Sequence, residues 1–236
     1  MPHEHDPGAP DSQPRVHRSG FAAVVGLPNA GKSTLVNRLL DTKISIVSSK
    51  PQTTRSNITC IVSTADSQIV FIDTPGLLKP RYRMQEVMAS FITNAVSEAD
   101  VILVLIDASR FDGSLHPRIV EFAQETLRRK RVVALNKIDL FRKEKLLEII
   151  ARTDETFPGA DIVPISALGG EGIDILYGVV RDLMPEGPKY FPDDVISNES
   201  ERFFAAELIR EAVFLAMDEE IPYATGVVVE RYEEKP

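Results

Sequence analysis

The chain has 236 residues, 43% hydrophobic and 26% charged, enough to bury one large core and a small second one, and too apolar for wholesale disorder. Its longest apolar run, Val101–Ile106, is too short to cross a bilayer, and the single cysteine, Cys60, excludes an internal disulfide framework and a Cys-built zinc site. The net charge of −8 is uneven: residues 185–236 carry five basic and thirteen acidic groups, residues 1–184 are balanced, and no basic patch announces nucleic-acid binding.

Three of the four histidines (His3, His5, His17) and four prolines fall in the first twenty residues, with almost no apolar side chains among them. A secretory signal needs an apolar stretch, and a transit peptide would lack Glu4, Asp6 and Asp11. Residues 1–19 are therefore expected to form a disordered tail on a cytoplasmic chain.

From Phe21 onward, strands and helices alternate. Phe21–Gly26 is a short apolar strand, and Leu35, Val36, Leu39 and Leu40 give residues 32–40 a helical period. Ile58–Thr64 and Gln68–Asp73 are strand-like runs separated by three residues, which suits an antiparallel hairpin. Apolar residues at helical spacing mark 84–98 as an amphipathic helix. Strands then follow at Val101–Ile106, Val132–Leu135 and Ile162–Ile165, with helices at Leu115–Leu127, Glu144–Ile150 and Ile173–Leu183. Such alternation predicts an α/β fold with a doubly wound, mostly parallel six-stranded sheet, whose ligands bind beyond the carboxyl ends of the strands.

Three prolines within residues 185–192 break this alternation, so a linker is placed at 185–199 between a domain of residues 20–184 and a second one beginning at 200. Asn198 with Glu201 is read as a capping box. Phe204, Leu208, Ala212 and Leu215 are predicted to turn one face of the following helix into a core. The β-branched run from Thr225 to Tyr232 reads as a buried strand.

The chemistry is concentrated at the strand ends. Gly26, Leu27, Pro28, Asn29, Ala30, Gly31, Lys32, Ser33 and Thr34 fit G-x-x-x-x-G-K-[ST] between the first strand and the first helix. Backbone N–H groups of such a loop turn inward around phosphate oxygens, Lys32 reaches the β- and γ-phosphates, and the Ser33 hydroxyl binds Mg²⁺. Asp73, Thr74, Pro75 and Gly76 follow the third strand, where the acid holds Mg²⁺ through a water and the Gly76 N–H meets a γ-phosphate.

Asn136, Lys137 and Asp139 follow the fifth strand and select the base. A carboxylate accepts two hydrogen bonds from guanine, whereas adenine would leave a buried Asp139 unpaired, at about 1–3 kcal/mol. Lys137 can lay its aliphatic stem over the base plane. Ser166, Ala167 and Leu168, after the sixth strand, would add a backbone N–H for guanine O6. The long aperiodic stretch between Asp41 and Asn57 reads as a switch loop, and Thr54, rather than Thr53, is expected to complete the Mg²⁺ shell when GTP is bound.

These motifs, in this order, resemble translation-factor-type GTPases of the TrmE–Era group. Lys43-Ile-Ser-Ile46, Lys50-Pro-Gln-Thr-Thr-Arg55, Gly187-Pro-Lys-Tyr-Phe-Pro-Asp193 and Glu201-Arg-Phe203 extend the resemblance to the Era family over nearly the whole chain. Ser56, where a histidine often stands, and Ser197-Asn198, in place of a usual Thr-Asp, are mild departures. The resemblance implies a Ras-like P-loop GTPase domain followed by a KH domain that binds the 3′ end of small-subunit rRNA during assembly of the small ribosomal subunit. It also implies a monomer loosely associated with the inner membrane. Only the opening helix and strand of a KH-like α+β domain are expected here, because no G-x-x-G loop, the KH clamp on RNA backbone, follows Gly187.

Leu77 stands where Ras-type enzymes place a water-positioning glutamine, so slow intrinsic turnover is expected. Asn29 matches the position where relatives hold a K⁺ ion in place of an arginine finger, and its plainer role is that of a turn residue. The alternatives are another TrmE–Era GTPase, serving tRNA modification or acting as a tandem-domain ribosome factor, and an RNA chaperone whose nucleotide only locks a conformation.

Overall fold

The computed structural model describes residues 16–47, 50, 53–140, 143–217 and 221–233. Strand β1 (Arg18–Gly26) begins the sheet and includes the last two residues of the expected tail, since Arg18 and Ser19 pair with Ser67 and Gln68; residues 1–15 of that expectation lie outside the described residues. Helix α1 (Lys32–Leu40) follows, then the antiparallel pair β2 (Ile58–Ser63) and β3 (Ser67–Asp73), in register from Ile58–Asp73 to Ser63–Gln68. Helix α2 (Arg83–Glu98) leads to β4 (Val101–Asp107), α3 (Pro117–Glu125) to β5 (Arg131–Asn136), and α4 (Lys143–Thr156) to β6 (Asp161–Pro164). Helix α5 (Ile173–Leu183) closes the domain.

The strand order is β2-β3-β1-β4-β5-β6, with every pair parallel except β2 with β3. Chain direction along the sheet reverses at β1, so the loop after β1 opens at a topological switch point. Both faces of the sheet are covered, which is why β4 and β5 read as continuous apolar runs rather than as alternating ones. Leu103, Leu105 and Ala134 pack beneath Leu35 and Val36 of α1 and Leu176 and Val180 of α5. Ile102, Val104 and Val133 pack beneath Ile92 of α2, Phe122 of α3 and Ile149 of α4.

The proline-rich linker is bound along its length. Gln68, fully buried on β3, accepts hydrogen bonds from the Tyr190 and Phe191 N–H groups at 2.7 and 2.9 Å and donates back to the Phe191 carbonyl at 2.8 Å. The Ile61 N–H donates to the Ile196 carbonyl at 2.9 Å, and the Ser197 hydroxyl to the Thr59 carbonyl at 2.6 Å. The linker thereby covers the antiparallel edge of the sheet, which would otherwise offer unpaired backbone groups.

Beyond it, three expectations are corrected. Helix α6 (Glu201–Ala216) is capped by the Ser200 hydroxyl, which accepts from the Phe203 N–H at 3.3 Å; Asn198 lies outside the cap. Phe204 packs against the core as expected, with Phe203 beside it, but further along the helix the inward face is Arg210, Glu211 and Phe214, whereas Leu208 and Leu215 are 57% and 66% exposed. The surface that this later part of the helix meets is a polar loop, so charged side chains turn inward there and aliphatic ones outward. A short helix α7 (Ile221–Ala224) follows, and residues 225–232 form no strand: Val228 is 84% exposed. A β-branched run becomes a strand only beside a partner that satisfies its backbone, and no described strand lies alongside it.

Candidate functional site

The predicted motifs meet in one cleft of about 350 Å³ at the carboxyl ends of β1, β3 and β5. Pro28, Asn29, Gly31, Lys32, Ser33 and Thr34 form one wall, Asn136, Lys137, Asp139, Ala167 and Leu168 another, and Thr53, Thr54 and Gly76 close it. Ile46, Val47 and Leu140 also line the cleft and were missed as site residues, because a lone aliphatic side chain in a loop carries no chemical signature.

The first loop is shaped by two left-handed residues, Asn29 at φ 64° and Gly31 at φ 98°. A side chain at Gly31 would place its Cβ 2.3 Å from Asn136 Nδ2, so only glycine fits there. Gly76 is held equally close, with a Cβ position 2.8 Å from Pro28 Cγ. Leu27 and Ala30 anchor the loop: Leu27 packs on the core, and the Ala30 carbonyl accepts from Asn136 Nδ2 at 2.8 Å. The first turn of α1 points its unpaired N–H groups and dipole into the cleft, an arrangement suited to phosphate.

Lys32 is buried, its ammonium donating to the Gly26 and Leu27 carbonyls at 3.2 Å each. Burial lowers its pKa to about 8, against the opposing pull of the Asp73 carboxylate. Asp73 is fully buried, and burial raises its pKa while Lys32 and the Ser33 and Thr54 hydroxyls draw it down. Asp73 Oδ2 accepts from Ser33 Oγ at 2.9 Å and from Thr54 Oγ1 at 3.4 Å, and the two hydroxyls lie 3.1 Å apart. Asp73 Oδ1 has no hydrogen-bond partner among the described residues. A buried carboxylate with one unused oxygen, joined by two hydroxyls, is the hard-oxygen donor set that suits Mg²⁺. Thr54, not Thr53, supplies the second hydroxyl. The Thr53 carbonyl instead accepts from Arg210.

Thr74 and Leu77 face away from the cleft. The Thr74 hydroxyl donates to the Val24 carbonyl at 2.8 Å, while Pro75 is buried and holds Gly76 against the first loop. Leu77, 3% exposed, packs in the core, with its N–H donating to the Gly26 carbonyl at 2.9 Å.

Asn136 braces the two reading loops. Besides the Ala30 carbonyl, its Oδ1 accepts from the Ala167 N–H at 2.9 Å. The Ser166 N–H is spent on the Glu171 carbonyl, leaving the Leu168 N–H as the one of the three not engaged among the described residues. The Lys137 ammonium donates to the Asn29 carbonyl at 2.8 Å and to Asp107 Oδ2 at 2.7 Å. Asp139, expected to be buried, is exposed in a single turn over Ile138–Leu140. It stands at the rim, where desolvation would come from a bound base rather than from the protein.

The predicted switch loop is gripped by α6. Glu211 accepts from the Lys43 ammonium at 2.6 Å and from the Val47 N–H at 3.3 Å. Lys50 donates to the Phe214 carbonyl at 2.8 Å, and Arg55 to the Thr225 and Tyr223 carbonyls at 2.7 and 3.0 Å. Fully buried Phe214 lies under the Arg55 and Arg210 guanidiniums, 5.7 and 5.4 Å from its ring centre. Pro51 and Gln52 of the predicted motif lie outside the described residues.

A six-stranded sheet with this order, whose strand ends present a phosphate loop, a buried acid and an Asn-Lys-x-Asp turn to a single cleft, defines the P-loop GTPases of Ras-like fold. Residues 21–137 match the family model described as 50S ribosome-binding GTPase. The chain is 44% identical over 218 residues to GTPase Era of Geobacter metallireducens and 42% identical over 227 residues to that of Nitratidesulfovibrio vulgaris, covering 92% and 93% of itself and 73% of each relative. Among solved structures it is similar to Era in complex with MgGDPNP and nucleotides 1506–1542 of 16S ribosomal RNA, at TM-score 0.83 and 37% identity over 88% of this chain and 70% of that one. A variant of Aquifex aeolicus Era bound to GDP and AlF4⁻ superposes at TM-score 0.82 and 38% identity, over 87% of this chain and 70% of that one. The chain belongs to the Era family of GTPases.

Proposed function

We propose that this GTPase is a slow nucleotide switch in assembly of the small ribosomal subunit, with GTP and GDP held in the cleft that the segments at 26–34, 73–76, 136–139 and 166–168 build. The observation that carries this reading is the convergence of Lys32, Ser33, Thr54 and Asp73 at one end of a cleft whose other end is the Asn136–Asp139 turn. Mg²⁺ held by Ser33, Thr54 and Asp73 would neutralise charge on the β- and γ-phosphates. Lys32 supplies an ammonium already stripped of water, and Gly76 brings its N–H to the same end. Leu77, locked in the core, cannot orient an attacking water, which supports slow intrinsic hydrolysis.

Binding to small-subunit rRNA is proposed from the Era complex with 16S ribosomal RNA. Residues 188–236 contain no G-x-x-G clamp, so the RNA contact of this segment is expected to be weak by itself. A salt-dependent gel shift with rRNA, run with GTP and with GDP, measures it. A cytoplasmic monomer, peripheral at the inner membrane, completes the reading.

Calorimetry with Mg²⁺ present tests the core of the proposal, since absence of heat for both GDP and GTP would end it. Asp139→Asn is expected to weaken GTP and admit xanthosine triphosphate, because the amide matches the xanthine edge and mismatches guanine. Unchanged base preference would reject the assignment of Asp139. Asn29, at φ 64° on the wall of the cleft, is proposed to help hold K⁺. Hydrolysis is then expected to be faster in K⁺ than in Na⁺ for the parent and equal in the two for Asn29→Ala, and equal parent rates would contradict it.

A further inference from the structure

Asp107, at the carboxyl end of β4, belongs to none of the motifs above. Parallel pairing sets it beside Asn136 at the end of β5, and its side chain is only 8% exposed. Its Oδ1 accepts from the Ser109 N–H at 3.1 Å and the Ser109 hydroxyl at 2.6 Å, closing the short turn over Ala108–Arg110. Its Oδ2 accepts from the Lys137 ammonium at 2.7 Å, with the Arg110 guanidinium 3.4 Å away. The same ammonium reaches the Asn29 carbonyl at 2.8 Å.

Lys137 itself stands at φ 67°, a left-handed backbone that few non-glycine residues adopt. A free lysine stem samples many rotamers, and that freedom is lost when a ligand orders it. This stem is fixed at its root by the backbone and at its tip by a buried carboxylate and a carbonyl. Ordering it in advance removes that cost from ligand binding.

We infer that Asp107 is a positioning residue for guanine recognition, pinning the Lys137 ammonium so that the aliphatic stem presents a fixed apolar surface to the base. The inference rests on the nucleotide reading above. Asp107 need not touch the nucleotide, and its effect passes entirely through Lys137.

A double-mutant cycle on the full chain, titrated with a fluorescent GDP analogue, tests this. Asp107→Ala is expected to weaken GDP about tenfold, the scale of one charge-assisted hydrogen bond. Asp107→Asn, which keeps the shape and the acceptor for Ser109, is expected to weaken it less, and it serves if the alanine variant fails to fold. In a Lys137→Met background, which keeps a stem and removes the ammonium, either change is expected to cost less than about twofold. Inorganic triphosphate, which has no base, should compete equally well for the parent and for Asp107→Asn. Ser109→Ala, which loosens only the turn, should bind GDP as the parent does.

A full loss persisting in the Lys137→Met background would overturn the inference, as would an equal loss for triphosphate, a Ser109→Ala effect matching Asp107→Ala, or unchanged GDP affinity in both Asp107 variants. Failure of the parent chain to bind GDP would instead end the nucleotide reading, so the two failures are distinct.

Discussion

Lys32 carries the clearest pH dependence in the molecule. Its ammonium has lost its water and gained two carbonyls and a neighbouring carboxylate, and burial outweighs them, bringing the pKa to about 8. Phosphate oxygens would restore the charge balance and raise that pKa, so binding must be accompanied by proton uptake at Lys32 wherever the free protein has lost that proton. The sign follows: well below pH 8 this group gives no pH dependence, near pH 8 affinity begins to fall, and well above it the fall reaches about tenfold per pH unit until the pKa of the bound state. Calorimetry of GDP binding at pH 8, in two buffers of different ionisation enthalpy, is expected to show uptake of about half a proton. Zero uptake would mean that Lys32 keeps its proton unaided.

Residue chemistry is largely legible in the amino-acid sequence. The glycines, Lys32, Ser33, Asp73 and Asn136 stand at spacings that only a phosphate loop and its partners require. Asp139 was legible as a base reader but not as a rim residue, because exposure depends on what packs around a turn. Asp107 carries no such signal, because an acid at the end of an apolar strand is common. Only the pairing of β4 with β5 brings it to Lys137.

At the scale of elements, the loop between β1 and α1 is the most constrained piece of the fold. Gly31→Ala would force a Cβ into a left-handed backbone and against Asn136 Nδ2, which is already committed to the Ala30 carbonyl. The expected cost is about 1–3 kcal/mol of stability together with loss of nucleotide binding, because relief requires moving either the loop or the Asn136 brace. Thermal melting and a GDP titration measure the two effects. A variant with parent stability and affinity would show that the loop relaxes freely.

The helices and strands of the sheet were readable because each is amphipathic, or doubly buried, toward one core. Helix α6 was misread in orientation for the same reason. Its aliphatic residues follow a helical period, yet beyond Phe203 and Phe204 the face that meets the rest of the molecule is Arg210, Glu211 and Phe214. Periodicity identifies an apolar stripe, and it does not say whether the neighbouring surface is a core or a loop studded with Lys43, Lys50 and Arg55.

Across the whole molecule, that helix joins the second segment to the loop that delivers Thr54. Arg210 holds the Thr53 carbonyl while its guanidinium pairs with Glu207 and lies over Phe214. Arg210→Ala is expected to free the loop while leaving the sheet untouched. Amides of residues 43–47 and 53–57 should then exchange about tenfold faster, the equivalent of one charge-assisted hydrogen bond, with β1, β4 and β5 unchanged. Hydrogen exchange read by mass spectrometry decides it, and a loop as protected as in the parent would show that Glu211 and Phe214 suffice.

The amino-acid sequence alone determined the alternation of strands and helices, the place of each phosphate- and base-reading motif, and the preference for guanine. These depend on local spacing, on the stereochemistry of glycine and on the identity of single side chains. Tertiary structure alone decided that the linker is laid along the sheet edge, that α6 grips the switch loop with its polar face, and that residues 225–232 are not a strand. Each of these depends on a surface contributed by chain more than a hundred residues away, or on a nearby fold of the loop, and no local pattern records what that surface will be.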